Sequence, residues 1–187
     1  MLMSRAWLAL AGVLVVTVTG APAAVPTAAA APAAASSGDQ AFRMVQDRQA
    51  IEALLAQYST GLDTLNPDLY VSCFTDDAEL VQGDTVRKGR AEIRKVITDL
   101  IESRDKRTAA AAALTPGAEV PPNVMHHVIT NSVIDLIDAS DARHRSYWMT
   151  ILGRAGGKFD VAAMGRYEDV LVKQDGKWLF QQRKILR

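Results

Sequence analysis

From Asn123 to Leu186 the chain is almost unbroken strand material, and that stretch limits the folds open to it more than any other feature. Asn123 to Ile137, Ala142 to Gly153, Phe159 to Gln174 and Trp178 to Leu186 are rich in β-branched and aromatic residues. Between them stand only the turn signals Asp138-Ala139-Ser140-Asp141, Gly156-Gly157 and Asp175-Gly176. Connections this short join antiparallel neighbours, because parallel strands need a crossover of a dozen or more residues. Asp175-Gly176 is a two-residue hairpin signal.

The segment before these strands is helical in pattern. Phe42, Val45, Ile51, Leu54, Leu55, Tyr58 and Leu62 recur at close to helical spacing, which predicts a helix over Asp39 to Leu62 with Asp39 as its N-cap. Pro67 suits the first turn of a short helix, expected over Asp68 to Phe74. Thr75 to Gln82 reads as a first strand ended by Gly83-Asp84, and Arg90 to Ser103 as a third helix. Residues 104–122 are charged, then alanine-rich, then broken by Pro116-Gly117 and Pro121-Pro122, so a surface loop is expected, with a helical extension through Ala113 as the alternative. Helices followed by hairpin-linked strands predict an α+β domain, its helices on one face of a curved, mixed or antiparallel sheet.

The N-terminus has a different character. Arg5 precedes the apolar run Ala6 to Val18, and Ala21 and Ala23 have the spacing of a cleavage site. That order predicts a signal peptide over residues 1–23, with an uncleaved anchor as the alternative, although the run is short for a bilayer span. Residues 24–38 are mainly Ala, Pro, Thr and Ser, a linker with nothing periodic to bury, and the domain proper is expected over 39–187. The protein is therefore expected to be secreted or in the cell envelope, with no membrane contact once the leader is removed. With 21 basic and 21 acidic residues and no basic stripe, nucleic acid is not an expected partner. The lone Cys73 rules out internal disulfides and thiolate zinc sites.

Chemistry concentrates in Val124-Met125-His126-His127-Val128-Ile129-Thr130-Asn131. Successive strand residues point to opposite faces, so His127, Ile129 and Asn131 share one face and His126, Val128 and Thr130 the other. Adjacent histidines that point apart make a poor metal site, and no metal is expected. One imidazole can face a pocket and move protons near neutral pH, or else it is a packed core histidine.

Several segments together resemble the SnoaL-like branch of the nuclear transport factor 2-like (NTF2-like) superfamily. They are Ile51, Tyr58 and Asp63, Phe74-Thr75-Asp76-Asp77-Ala78, Lys88-Gly89-Arg90-Ala91-Glu92-Ile93, His126 to Asn131, Gly165-Arg166-Tyr167-Glu168-Asp169, and Asp175-Gly176-Lys177-Trp178 with Arg183. The resemblance runs from about Val45 to the C-terminus and implies a cone-shaped α+β barrel, in which three helices and a bent sheet enclose an apolar pocket, often in a homodimer. Its relatives include scytalone dehydratase, bile-acid dehydratase and ketosteroid isomerase, alongside members that only bind or assemble. By position, Asp63 and His127 correspond to the aspartate and histidine of the dehydratases, and Tyr58 to the pocket tyrosine of bile-acid dehydratase. Asn131, Tyr147, Tyr167 and Arg183 are further candidates for binding substrate, Arg183 equally for an ion pair with Asp169 or Asp63. No histidine stands near Gly153, where scytalone dehydratase carries a second one. The expectation is a cofactor-independent dehydratase or isomerase acting on a hydrophobic small molecule; the alternative is a non-catalytic module binding a small molecule or a protein.

Overall fold

The computed structural model describes residues 36–114, 124–154 and 157–187. Their elements run α1 (Ser37–Asp63), α2 (Pro67–Val71), β1 (Phe74–Gln82), β2 (Thr85–Lys88), α3 (Gly89–Leu114), β3 (Met125–Leu136), β4 (Asp141–Gly153), β5 (Phe159–Gln174) and β6 (Lys177–Leu186). The expected signal peptide, most of the linker, residues 115–122 of the expected loop and Gly156 lie outside the described residues.

Helix α1 begins two residues earlier than its periodicity indicates, because Ser36 is the N-cap in place of Asp39. The Ser36 hydroxyl accepts the Asp39 N–H at 3.2 Å while the Asp39 carboxylate accepts the Ser36 N–H at 3.2 Å, a closed capping box. Asn66 caps α2 by its side chain alone, accepting the Leu69 N–H at 3.0 Å. That helix stops at Val71, and Phe74, expected to end it, opens β1 instead. Helix α3 continues to Leu114 through the alanines, so high alanine propensity carries the chain where a loop was the first expectation. The sequence does not mark strand β2. This strand has four residues, none of them buried, and so lacks the alternation that marks a strand in sequence.

The sheet order is β2-β1-β6-β5-β4-β3. All neighbours are antiparallel except β1 and β6, which run parallel, so the sheet is mixed. It is bent by register shifts in β3, β4, β5 and β6 pairings, yet it is not closed, and β2 and β3 remain edges. Three helices packed on this sheet give the α+β fold expected from the sequence. The inner face of the sheet supplies Trp148, Tyr167, Leu171 and Phe180 to a core completed by Ile51, Leu54, Leu55 and Tyr58 of α1 and Ile93 and Ile97 of α3. Each such side chain, taken from water, stabilises the fold by about 1.5–3 kcal/mol.

One bulge decides which side chains reach the interior. Thr130 pairs with Tyr147 and Val133 with Arg145, so Asn131 and Ser132 together face Ser146 alone. Asn131 takes φ +52°, a left-handed conformation that asparagine tolerates better than most residues. The extra residue reverses the parity of the strand: His127 and Ile129 point inward before it, and Ile134 and Leu136 after it.

Candidate functional site

Asp63 is the last residue of α1, and His127 lies on the edge strand β3. An edge strand has a row of N–H groups without sheet partners. The Asp63 carboxylate takes the His127 N–H, at 2.9 Å to Oδ1 and 3.1 Å to Oδ2, and Oδ1 also meets His127 Nδ1 at 2.7 Å. Backbone and ring of His127 are therefore fixed by one carboxylate. An ionised carboxylate only accepts, so Nδ1 is the donor in this contact, and in the neutral ring Nε2 then carries the lone pair. Among the described residues, Nε2 has no hydrogen-bond partner. The His127 side chain is 11% exposed and that of Asp63 20%, against 59% for His126, whose Nδ1 stands 3.9 Å from Asp63 Oδ2.

His127 lines a cavity of about 510 Å³ bounded by α1, α2, α3 and the inner face of the sheet. Leu62, Leu80, Val96, Leu100, Met125 and Trp148 make much of its wall, which the nearly sealed side chains of Tyr58, Tyr70 and Tyr167 complete. Gly61 brings α1 against α2 so closely that a Cβ there would lie 2.9 Å from the Tyr70 backbone, which sets Tyr70 beside Tyr58 at a ring-centroid distance of 5.1 Å. Burial pushes the Tyr70 and Tyr167 phenols well above their ordinary range, and the neighbouring Tyr58 adds to both shifts, so these hydroxyls remain protonated donors. On its other side His127 borders a second cavity of about 410 Å³, shared with Leu55, Ser59, Ile129 and Ser132.

Of the seven candidate residues, His127, Tyr58 and Tyr167 line the main cavity, and Asp63 touches His127. Asn131 and Tyr147 do not join them: the bulge and strand parity turn both to the outer face, where they line a groove with Val133, Arg145 and Glu168. Arg183 does not reach the cavity either. It is fully buried, donating from Nε and Nη2 to Asp169 at 2.9 and 2.8 Å, with its guanidinium carbon 4.0 Å from the ring centroids of Tyr58 and Tyr167. Burial works against that charge, but Asp169 outweighs it and holds the guanidinium above its ordinary value. Asp169 also meets His144 Nδ1 at 2.6 Å, and His144 Nε2 lies 3.3 Å from Ser132 Oγ. Cys73 is buried, its thiol pushed up to about 12 by desolvation, and is not a nucleophile.

A family model for the SnoaL-like domain matches residues 43–184. The chain belongs to the SnoaL-like domain family. No functionally curated protein matches it by sequence. Among solved structures it is similar to a variant of Rv3472 of Mycobacterium tuberculosis, a function unknown protein, at TM-score 0.62 and 23% identity over 80% of this chain and 76% of that one. It is also similar to a "Putative Scytalone Dehydratase" from Novosphingobium aromaticivorans, at 0.57 and 22% over 78% and 86%. An NTF2-like protein with a cystatin-like fold from the same organism aligns at 0.60 and 18%, over 80% and 88%. At these identities the likeness is one of fold. Within this SnoaL-like domain, Tyr70 and the His144–Asp169 pair went unranked in the sequence. Tyr70 follows Pro67 on a short helix whose packing only Gly61 hints at, and His144 and Asp169 meet only through the pairing of β4 with β5.

Proposed function

We propose that this SnoaL-like domain is a proton-transfer enzyme, a dehydratase or isomerase that works without a cofactor on a hydrophobic small molecule. The observation that carries this reading is the 2.7 Å contact of His127 Nδ1 with Asp63, on the wall of a largely apolar cavity that also holds a phenol, Tyr58. In the proposed reaction His127 Nε2 takes a proton from a carbon next to a carbonyl, and the electron pair moves toward the carbonyl oxygen, where Tyr58 donates a hydrogen bond. Asp63 holds the ring and stabilises the imidazolium. The imidazolium then returns its proton, either to a departing hydroxyl, which leaves as water, or to a second carbon, which moves the double bond. The fold of the dehydratase-named neighbour is consistent with this reading.

Proton abstraction can be read without knowing the physiological substrate. In D2O the protein should exchange the α-hydrogens of 2-tetralone, followed by proton NMR, and His127→Ala should slow that exchange by about a hundred- to ten-thousandfold. Equal exchange by the two proteins would sink the proposal. It would favour a binding module, a reading that draws on the two contacts of Asp63 with the His127 backbone N–H, since these alone give the carboxylate a structural task. Two further proposals concern the setting. Export is proposed from the leader-like residues 1–23, to be checked by N-terminal sequencing of secreted protein. A homodimer is proposed through the outer sheet face, where Phe159, Val161 and Met164 are exposed, to be checked by solution mass.

A further inference from the structure

The main cavity has a sealed end and an open one. Tyr58, Tyr70, Leu80 and Tyr167 on its wall are buried, whereas Gln82, Asp99, Ser103 and Arg187 are exposed and mark its mouth. Arg87 of β2 lines the same cavity, and strand register puts it there. It stands opposite Leu80 in the antiparallel β1–β2 ladder, and directly opposed residues share a face, so Arg87 lies on the inner side of the sheet beside the sealed Leu80. Its basic neighbours along the chain are matched: Lys88 meets Glu79, Arg90 meets Asp76 and Arg94 meets Asp68, each at 2.7 Å. Arg87 is partly buried, yet among the described residues its guanidinium meets no carboxylate, and Asp99, the acidic residue of the lining, does not reach it. A guanidinium keeps its proton at any ordinary pH, so this charge persists. A partly desolvated cation without a partner is costly, and an anion entering by the mouth would match it.

We propose that the cavity takes a hydrophobic carboxylic acid, its carboxylate held by Arg87 at the mouth and its apolar body laid inward along Leu62, Leu80 and Val96. The proposal rests on the reading of this cavity as a substrate site and names the substrate class. The planar fork of a guanidinium matches the two oxygens of a carboxylate, and the pairing is stronger than a neutral hydrogen bond. Arg187 adds a second positive charge at the mouth, weaker in effect because it is exposed, and Asp99 opposes both. Anchoring one end of the substrate at the mouth fixes which of its carbons arrives at His127. Arg87 is thus a binding and positioning residue, with no part in the proton transfer itself.

Two probes of nearly the same shape isolate the charge: 2-naphthylacetic acid and 2-naphthylacetamide. Wild type should bind the acid more tightly than the amide, and Arg87→Met should cut that ratio of Kd values by about tenfold, the low end for a hydrogen bond to a charged group because the mouth is open to water. Arg87→Lys keeps the charge but loses the fork, and its ratio should fall between the two. Asp99→Asn should raise the ratio. Raising ionic strength from about 0.01 M to about 1 M shortens the reach of charges from ~30 Å to ~3 Å and should bring the wild-type ratio down toward that of Arg87→Met. The Asp99 and salt comparisons need no Arg87 variant, so the outcome does not hang on how such a variant folds. A wild type that binds the acid no better than the amide, or not at all, would overturn the proposal; so would a ratio that Arg87→Met or salt leaves unchanged, or that Asp99→Asn lowers. His127→Ala should keep the full acid preference, so a failure of the proton-transfer reading, seen as unaltered hydrogen exchange, remains distinguishable from a failure here.

Discussion

Two histidine–aspartate pairs of almost the same geometry sit in this domain, His127 with Asp63 at 2.7 Å and His144 with Asp169 at 2.6 Å. Their surroundings differ in every respect that matters for proton transfer. His144 and Asp169 are fully buried, the carboxylate is forked by Arg183, and His144 Nε2 already faces Ser132 Oγ. His127 stands at a cavity wall with Asp63 against its ring, and among the described residues His127 Nε2 faces no partner. A His–Asp contact is therefore no sign of catalysis by itself. What separates the two is whether the far ring nitrogen is committed.

The contrast predicts opposite outcomes for substitutions in the two regions. His127→Ala should lower α-hydrogen exchange or turnover by about a hundred- to ten-thousandfold while changing unfolding free energy little, as read by urea titration. Asp63→Asn should also slow it, and the double variant should be no slower than His127→Ala, because the two side chains act as one unit. Arg183→Met should do the reverse. Taking Arg183 away leaves the buried Asp169 with His144 Nδ1 alone and without its charged partner; breaking a buried ion pair costs about 3–5 kcal/mol of stability. An Arg183→Met protein that unfolds at the wild-type urea concentration would show that the buried pair contributes nothing net, and the contrast between the regions would collapse.

The sequence carried the first pair better than the second. His127 was legible because strand parity lets only one of His126 and His127 face a pocket, while the family resemblance picks His127 and supplies Asp63. The same parity failed four residues on, at Asn131, since a single left-handed residue inserts a bulge and no periodicity reports it. An ion pair of Arg183 with Asp169 was one of two expected alternatives, but the meeting of His144 with Asp169 depends on register between β4 and β5, which no local pattern states. Much of the fold was legible for the opposite reason: helix periodicity, hairpin turns and the order of elements are local. The parallel pairing of β1 with β6 and the unburied β2 are long-range or featureless, and they were not.

A smaller effect concerns acid stability. Burial would raise the Asp47 carboxyl, but hydrogen bonds from Lys173 Nζ at 2.6 Å and Trp178 Nε1 at 2.9 Å outweigh it and hold it below its ordinary value. A carboxyl whose folded pKa is lowered stabilises the protein fully above its unfolded pKa, about 4, and loses that contribution as pH falls toward the folded value. Asp47→Asn should therefore be less stable than wild type at pH 7, with the gap narrowing below pH about 4. A gap that widens on acidification would mean that the sign is wrong and burial dominates.

The smallest expected effect belongs to His126, and it tests the contrast most finely, because this imidazole also neighbours Asp63. Its Nδ1 lies 3.9 Å from Oδ2, beyond hydrogen-bonding distance, and its side chain is 59% exposed. An exposed pair of this kind is screened by water and contributes little. His126→Ala should change unfolding free energy by no more than about 0.5 kcal/mol, the usual range for surface positions, and leave exchange at the wild-type rate. The two histidines share a backbone segment and a carboxylate, so they differ only in the face of β3 that each occupies. If His126→Ala lost activity as His127→Ala does while remaining folded, proton transfer would belong to the outer face of the strand, and the cavity would have to be given up as the reaction site.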